Sequence, residues 1–360
     1  MINLNRDRIL AYFRYKCPRL MCICVGGVNL LRRGSGRIGS GKSGFGKIGV
    51  RVLIKYMLIV MGVIGFPWLV TLMFTGEFKG KIYKTTDSEY YVIDKKSRIS
   101  LEDFVACALV KQMDIGEKEE ALKAQAVIVR TYIYEKMSKD KVKEINVKKL
   151  DIPYISYEEM EKIWGDDFPE NYNKLMKAVE GTSAQVLMYK GEAIKPYFHN
   201  TSCGYTRDGV SALGEGYEYL VSVQSVGDVD SENYQSSVSF TKEEFVKLLR
   251  KNKESVALSL EKPLETMQVI KRDKGGYVEE LQIGNVIMSG DEFAHIYSLK
   301  SPNFQVEESD GKIHMITKGI GHGIGLSVYG SILLAKEGKN YTEILQHYYS
   351  EVYLEPLWEE

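Results

Sequence analysis

The chain has 360 residues, 44% hydrophobic and 27% charged, which suits ordinary globular structure. Its zero formal charge hides an asymmetry, because residues 1–55 hold twelve Lys or Arg against one acid, Asp7, so the rest of the chain carries a net −11. An acidic remainder has no electrostatic footprint for nucleic acid, and that class of partner is excluded.

The basic tail contains GRIGSGKS, Gly36 to Ser43, which satisfies a phosphate-loop pattern. That loop needs a strand before it and a helix after it, and a Gly-rich basic tail supplies neither, so nucleotide binding is not expected. Tyr56 to Thr75 (YMLIVMGVIGFPWLVTLMFT) is a charge-free run of 20 residues. At about 1.5 Å per residue it is long enough for a hydrocarbon core of ~30 Å, and it predicts one transmembrane helix. The excess of Lys and Arg before it predicts a cytoplasmic amino terminus and an extracytoplasmic domain from about Gly76 to the end. Cys17, Cys22 and Cys24 then fall in the reducing compartment, and Cys107 and Cys203 outside, where a disulfide is permitted but not required.

After the span, YYVIDKKSRIS reads as a short strand leading into LEDFVACALVKQM. There Leu101, Phe104, Val105, Ala108 and Leu109 follow the spacing of an amphipathic helix, and Gln112 continues the series as a polar end to an apolar face. A second helix is predicted over about Lys118 to Met137, opened by Glu117, Glu119 and Glu120 where the helix dipole favours acids. Ala121, Ile128, Val129, Tyr132 and Ile133 form its packing face, and Glu120, Lys123, Val127 and Arg130 a second, mixed face that by pattern alone reads as solvated. Residues 139–174 read as polar and irregular. Strand-like segments follow (SAQVLMYKG, AIKPYFHNTS, GYVEELQIG, NVIMSGDEF), with one helix, FTKEEFVKLLRKN, among them. Strands and helices mix without regular βαβ alternation, so the expected fold is α+β.

Four segments, in order over about Leu101 to Tyr349, carry a resemblance: LEDFV through EALKAQAVIVRTY; YFHNTSCGYTRD; YLVSVQSVGD; and GIGHGIGLSVYGS with YTEILQHYYS behind it. Together they resemble the sporulation stage II protein D and amidase-enhancer family. The resemblance implies a single-pass or secreted bacterial protein that binds peptidoglycan glycan strands. It implies, for the sporulation branch, lytic transglycosylase-like cleavage of glycan stripped of stem peptides, with a cell-wall amidase as partner in engulfment.

Such cleavage needs one carboxylic acid to protonate the leaving oxygen while the sugar's own 6-hydroxyl attacks the anomeric carbon. In the family that acid belongs to a Glu-Met pair eight residues before the glutamate of Glu-Ala-Leu-Lys. Counting back eight from Glu120 reaches Gln112, followed by Met113. Glutamine can hydrogen-bond a sugar but has no proton to deliver at neutral pH, so whether the chain cleaves glycan or only holds it turns on this residue. Glu120 is the fallback acid. The resemblance gives Lys123, Arg130, Thr201, Thr206, His322 and Tyr329 as glycan-binding residues, while Val328 replaces a glutamine usual in the family. Alternating Gly319, Gly321, Gly323 and Gly325 leave room for a backbone or a sugar ring to approach closely. His199 and Cys203, with His322 as a third, are candidate zinc ligands.

Overall fold

A computed structural model describes residues 88–95 and 97–358. The basic tail and the expected membrane span lie outside them, and among the described residues no helix is long and apolar enough to cross a membrane. The architecture is α+β, as expected.

The chain enters as a hairpin of β1 (Tyr91–Asp94) and β2 (Ser97–Ser100), runs straight into α1 (Leu101–Leu109), and after a turn forms α2 (Glu119–Asp140), followed by β3 (Glu144–Asn146), which pairs in parallel with β1. Ser100 starts α1 by accepting from the Asp103 amide, with two acids in the first turn. The apolar stripe of α1 is wholly buried, but the helix ends at Leu109, so Gln112 stands in the following turn and not on the helix.

The expected packing face of α2 is present, and the burial goes further: Leu122, Ala124, Ala126 and Val127 are also fully enclosed. A helix covered on most sides is a central one, and α2 does pack against α1 and five elements that follow it. Residues 139–174 are not irregular. They contain α3 (Tyr157–Trp164), opened by a reciprocal cap between Ser156 and Glu159, and α4 (Phe168–Glu180), with a proline in its first turn.

β4 (Gln185–Tyr189) lies at the centre of a small sheet beside β5 (Glu192–Ala193), and β6 (Phe198–His199) with α5 (Gly209–Leu213) follows. Residues 235–318 then build a module with a core of its own. It comprises β7 (Gln235–Thr241), α6 (Lys242–Asn252), β8 (Gln268–Arg272), β9 (Val278–Ile283), β10 (Val286–Ser289), α7 (Gly290–Ile296), β11 (Phe304–Ser309) and β12 (Lys312–Lys318). Two three-stranded antiparallel sheets, β10-β9-β8 and β11-β12-β7, enclose stacked rings such as Phe245 on Tyr297, 4.9 Å apart. The single extracytoplasmic domain read from the sequence therefore holds two hydrophobic cores.

The chain then returns to the first core. β13 (Leu326–Ser327) pairs in parallel with β6, α8 (Val328–Lys336) and α9 (Tyr341–Tyr348) pack on α2, and β14 (Tyr353–Pro356) closes the sheet against β4.

Candidate functional site

The turn between α1 and α2 leaves Gln112 half-buried and the next residue, Met113, buried. Its Oε1 accepts from Gln125 Nε2 at 2.5 Å, and Gln125, on α2, is fully enclosed. The remaining amide atoms of the pair, Gln112 Nε2 and Gln125 Oε1, are buried without a protein partner.

One turn along α2, Glu120 is engaged at both oxygens. Oε1 meets Lys123 Nζ at 2.9 Å, and Oε2 accepts the Tyr341 backbone N–H at 2.8 Å, fastening α2 to the start of α9. The fallback acid is thus a docking contact between two helices. Lys123 also bridges Glu119 at 2.9 Å. Burial alone would lower the Lys123 pKa, but Glu120 and Glu119 hold it above the ordinary lysine value. Glu119 is itself held below the usual carboxylate range by Lys177 and then Lys123.

Arg130 does not share the surface face expected for it with Lys123. It is 0% exposed; Nε and Nη2 donate to Glu102 at 2.8 and 2.5 Å, and Nη1 and Nη2 reach the carbonyls of Gln185 and Val179. All of this ties α2 to α1, α4 and β4, so the guanidinium contacts protein and has no face left for a glycan. Thr201 and Thr206 are likewise turned inward. Thr201 donates to Asn200 Oδ1 at 2.8 Å, while Thr206 donates to the Val221 carbonyl and accepts from the Val223 amide. Both are buried and act as pins between loops.

The second and fourth sequence segments form one assembly. Thr201 bridges Ile320, Tyr329 donates its backbone N–H to the Asn200 carbonyl at 3.0 Å, and the His199 and His322 rings lie 5.9 Å apart. The four alternating glycines all have positive φ, and what approaches them is protein. A Cβ on Gly325 would lie 1.9 Å from the Tyr197 carbonyl oxygen, and one on Gly323 would lie 2.4 Å from the Tyr277 ring. The space they leave is filled by the chain's own segment 197–203 and by a tyrosine of the second module, in place of a sugar.

His199 is fully buried, with Nδ1 against the Ile324 carbonyl at 3.2 Å and Nε2 unpartnered. Desolvation, and then the neighbouring His322, lower its pKa to about 3. His322 is lowered to about 4 by desolvation and by Arg207, and its Nδ1 accepts from the Ile324 amide. Both rings are neutral at physiological pH. Cys203 donates its thiol to the Gly275 carbonyl at 2.8 Å; it and Cys107 are free thiols. Among the described residues, no group of three or more His, Cys, Asp or Glu is placed to hold a metal ion. The zinc set read from the sequence is therefore not assembled.

Two residues that matter here escaped selection from the sequence. Asp228 closes the third segment; buried, it accepts from the Ser202 amide at 2.7 Å, and desolvation raises its pKa. Arg207 gives Asp291 of the second module a two-pronged contact at 2.9 and 3.0 Å, donates to the His322 carbonyl, and passes its own N–H to the Gly323 carbonyl. It locks the Gly-His-Gly turn to the module. The segments YLVSVQSVGD and YFHNTSCGYTRD contained both residues, but nothing local distinguished them from solvated charges.

Comparison with known proteins bears on the family. A family model described as "Stage II sporulation protein" matches residues 90–189, from β1 through β4. Stage II sporulation protein D of Bacillus amyloliquefaciens is 31% identical over 260 residues, covering 71% of this chain and 74% of that protein. The chain belongs to the stage II sporulation protein D family. Its counterpart in Bacillus subtilis (strain 168) is 29% identical over 257 residues, 70% of this chain and 73% of that one. The amidase enhancer of the same organism is 24% identical over 278 residues, but this chain covers only 37% of its length.

Proposed function

We propose that this chain works on the cell wall during sporulation, holding peptidoglycan glycan strands and stimulating a cell-wall amidase without cleaving the glycan itself. The observation that carries this reading is the amide at position 112, tied to the buried Gln125 where the family resemblance places a proton-donating carboxyl. Lytic cleavage is a second reading, favoured by the intact surroundings of that position: the buried Met113 next to it in the chain and a cationic Lys123 near the start of α2. It lacks an acid, since Glu120 is committed to Lys123 and Tyr341.

The experiment is incubation of the purified protein with glycan stripped of stem peptides, with mass spectrometry of the products. Wild-type protein is expected to release few or no anhydromuramic ends. Gln112→Glu is expected to raise their release by about 10²-fold, the low end of general acid catalysis. Ample release by wild-type protein, undiminished by Gln112→Ala, overturns the reading.

The same proposal places the chain in the membrane by residues 56–75, with its amino terminus in the cytoplasm and residues 76–360 outside. The support is the charge bias of residues 1–55 and the length of the apolar run. Protease added to intact protoplasts should digest the domain; a protected domain reverses the topology.

A further inference from the structure

Away from the Gln112 corner, where β4 and β5 meet the loop at 215–219, the surface carries a cavity of about 240 Å³. Tyr189, Tyr217 and Tyr219 wall it, with ring centroids 5.3 and 6.2 Å apart in sequence around the wall. Three acids, Glu135, Glu192 and Glu215, and two lysines, Lys139 and Lys195, supply the charged part of the lining. Glu135 is 95% buried, and among the described residues it is ion-paired to the exposed Lys139, 2.5 Å away. We propose that this cavity is a second saccharide subsite, one that takes an N-acetylated amino-sugar unit of a glycan strand.

The chemistry of the lining selects that ligand. A pyranose ring has C–H faces that lie on aromatic rings and an edge of hydroxyls that needs polar partners. Tyrosine supplies both a ring and a hydroxyl at little cost in side-chain freedom. The Glu135 carboxylate is an acceptor for sugar hydroxyls and for an acetamido N–H. The ammonium group of Lys139 is a donor for an acetamido carbonyl, while Lys195 holds its own over the Tyr197 ring, 4.8 Å from the centroid. Tyr219 is already fixed in place: its hydroxyl both donates to the Lys195 carbonyl and accepts from the Lys195 amide, each at 3.2 Å. The wall is therefore built before any ligand arrives. A purely apolar guest would leave the lining carboxylates and Lys139 without polar partners in it, and an acidic peptide would meet Glu135, Glu192 and Glu215 as like charges.

Placement adds a second argument. Gln125, partner of Gln112, and Glu135 are ten residues apart on α2, which is about 15 Å along the axis and nearly three turns. One rigid helix thus spaces the two sites by a short run of sugar rings. The inference rests on the glycan-binding reading, and the test separates the two.

Full-length protein in detergent is labelled with a photoreactive N-acetylglucosamine oligomer, and the modified peptides are mapped. Label on residues 189–195 or 215–219 supports the subsite. Label confined to residues 110–125 leaves the proposed function standing and overturns the subsite. Label at 189–195 or 215–219 with none at 110–125 supports the subsite and removes the Gln112 groove from the reading, and label at neither overturns both. In titrations with the same oligomer, Tyr217→Ala is expected to weaken binding roughly three- to tenfold, the loss of one stacked ring. Tyr217 is half-exposed, so the fold should survive; Glu135→Gln, which keeps the shape, serves as the second variant. Wild-type affinity in both, with unchanged melting, overturns the proposal.

Discussion

The core around α2 and the core of the inserted module at 235–318 are built on different terms. The first encloses Glu102, Arg130, Glu135, Arg207 and Asp228, and these are all the buried charged residues among the described ones apart from histidine. The module encloses rings and aliphatic chains, with polar burial limited to Ser301, Asn303 and Thr317. All four sequence segments that carry the family resemblance lie in the first region, and so does the stretch matched by the family model. A polar core fixes side chains through partners that must be met in full, whereas an apolar core needs mainly volume and pattern. The first region is thus the more narrowly specified of the two, which is what a site-bearing scaffold needs.

The sharpest way to break this contrast is Arg130→Ala. It leaves Glu102 buried without its partner, and such losses cost about 3–5 kcal/mol. Urea unfolding is expected to register most of that, and Arg130→Met combined with Glu102→Leu to recover a large part, since the stranded charge is gone. If the double variant is no better than the single one, packing and not charge pairing defines the first core. Lys123→Ala, at a partly exposed ion pair on the same helix, is expected to lose under about 1 kcal/mol.

A smaller effect is expected at the seam. Gly323 has φ 78° and meets Tyr277 of the module, so Gly323→Ala adds a Cβ to a left-handed residue with no space for it. The strain is about 1–3 kcal/mol, read as a lowered melting temperature. A melt equal to wild type would mean the two regions do not bear on each other through this turn.

A further effect is graded with pH, and it belongs to the first region. His199 and His322 have folded pKa values of about 3 and about 4 against an ordinary 6.5. The neutral form is the one the fold favours, so their contribution is full above about pH 6.5 and is lost as pH falls from there toward the folded values. The unfolding free energy from urea titration should decline over that window by at most about 1.4 kcal/mol per pH unit for each ring, and by less for the partly exposed His322, with the midpoint falling in step. A midpoint that does not change between about pH 7 and pH 5 shows that the rings are not buried neutral.

How much of this was legible depended on the distance between partners. α2 could be read from its repeat, and α6, β9 and β10 from alternation and turn residues, because those signals are local. The Ser156–Glu159 cap of α3 was also local, and it was there to be read. Arg130 was misplaced because its seven-residue offset from Lys123 suggested a shared face, while the partner that decides its position, Glu102, is 28 residues away. Gln112 was placed on α1 by period, although the chain leaves the helix three residues earlier. The glycines at 319–325 were correctly read as points of close approach; that the approaching group is Tyr197 or Tyr277 is a tertiary fact with no trace in their neighbourhood.

The insertion of the module has a consequence for the order of assembly. His199 and Ile324 touch across 125 residues, a long span to close from an unfolded chain. In the module, Gln235 pairs with Lys318, and just outside it Gly319 donates to the Tyr234 carbonyl at 2.7 Å. Once β7 and β12 have met, the two ends of the detour are adjacent, and the remaining loop from 199 to 234 and back is a fraction of its former length. The module acts as a clasp: contacts local to it shorten the search, and the Gly-His-Gly turn can then close on segment 197–203 as a near-neighbour event.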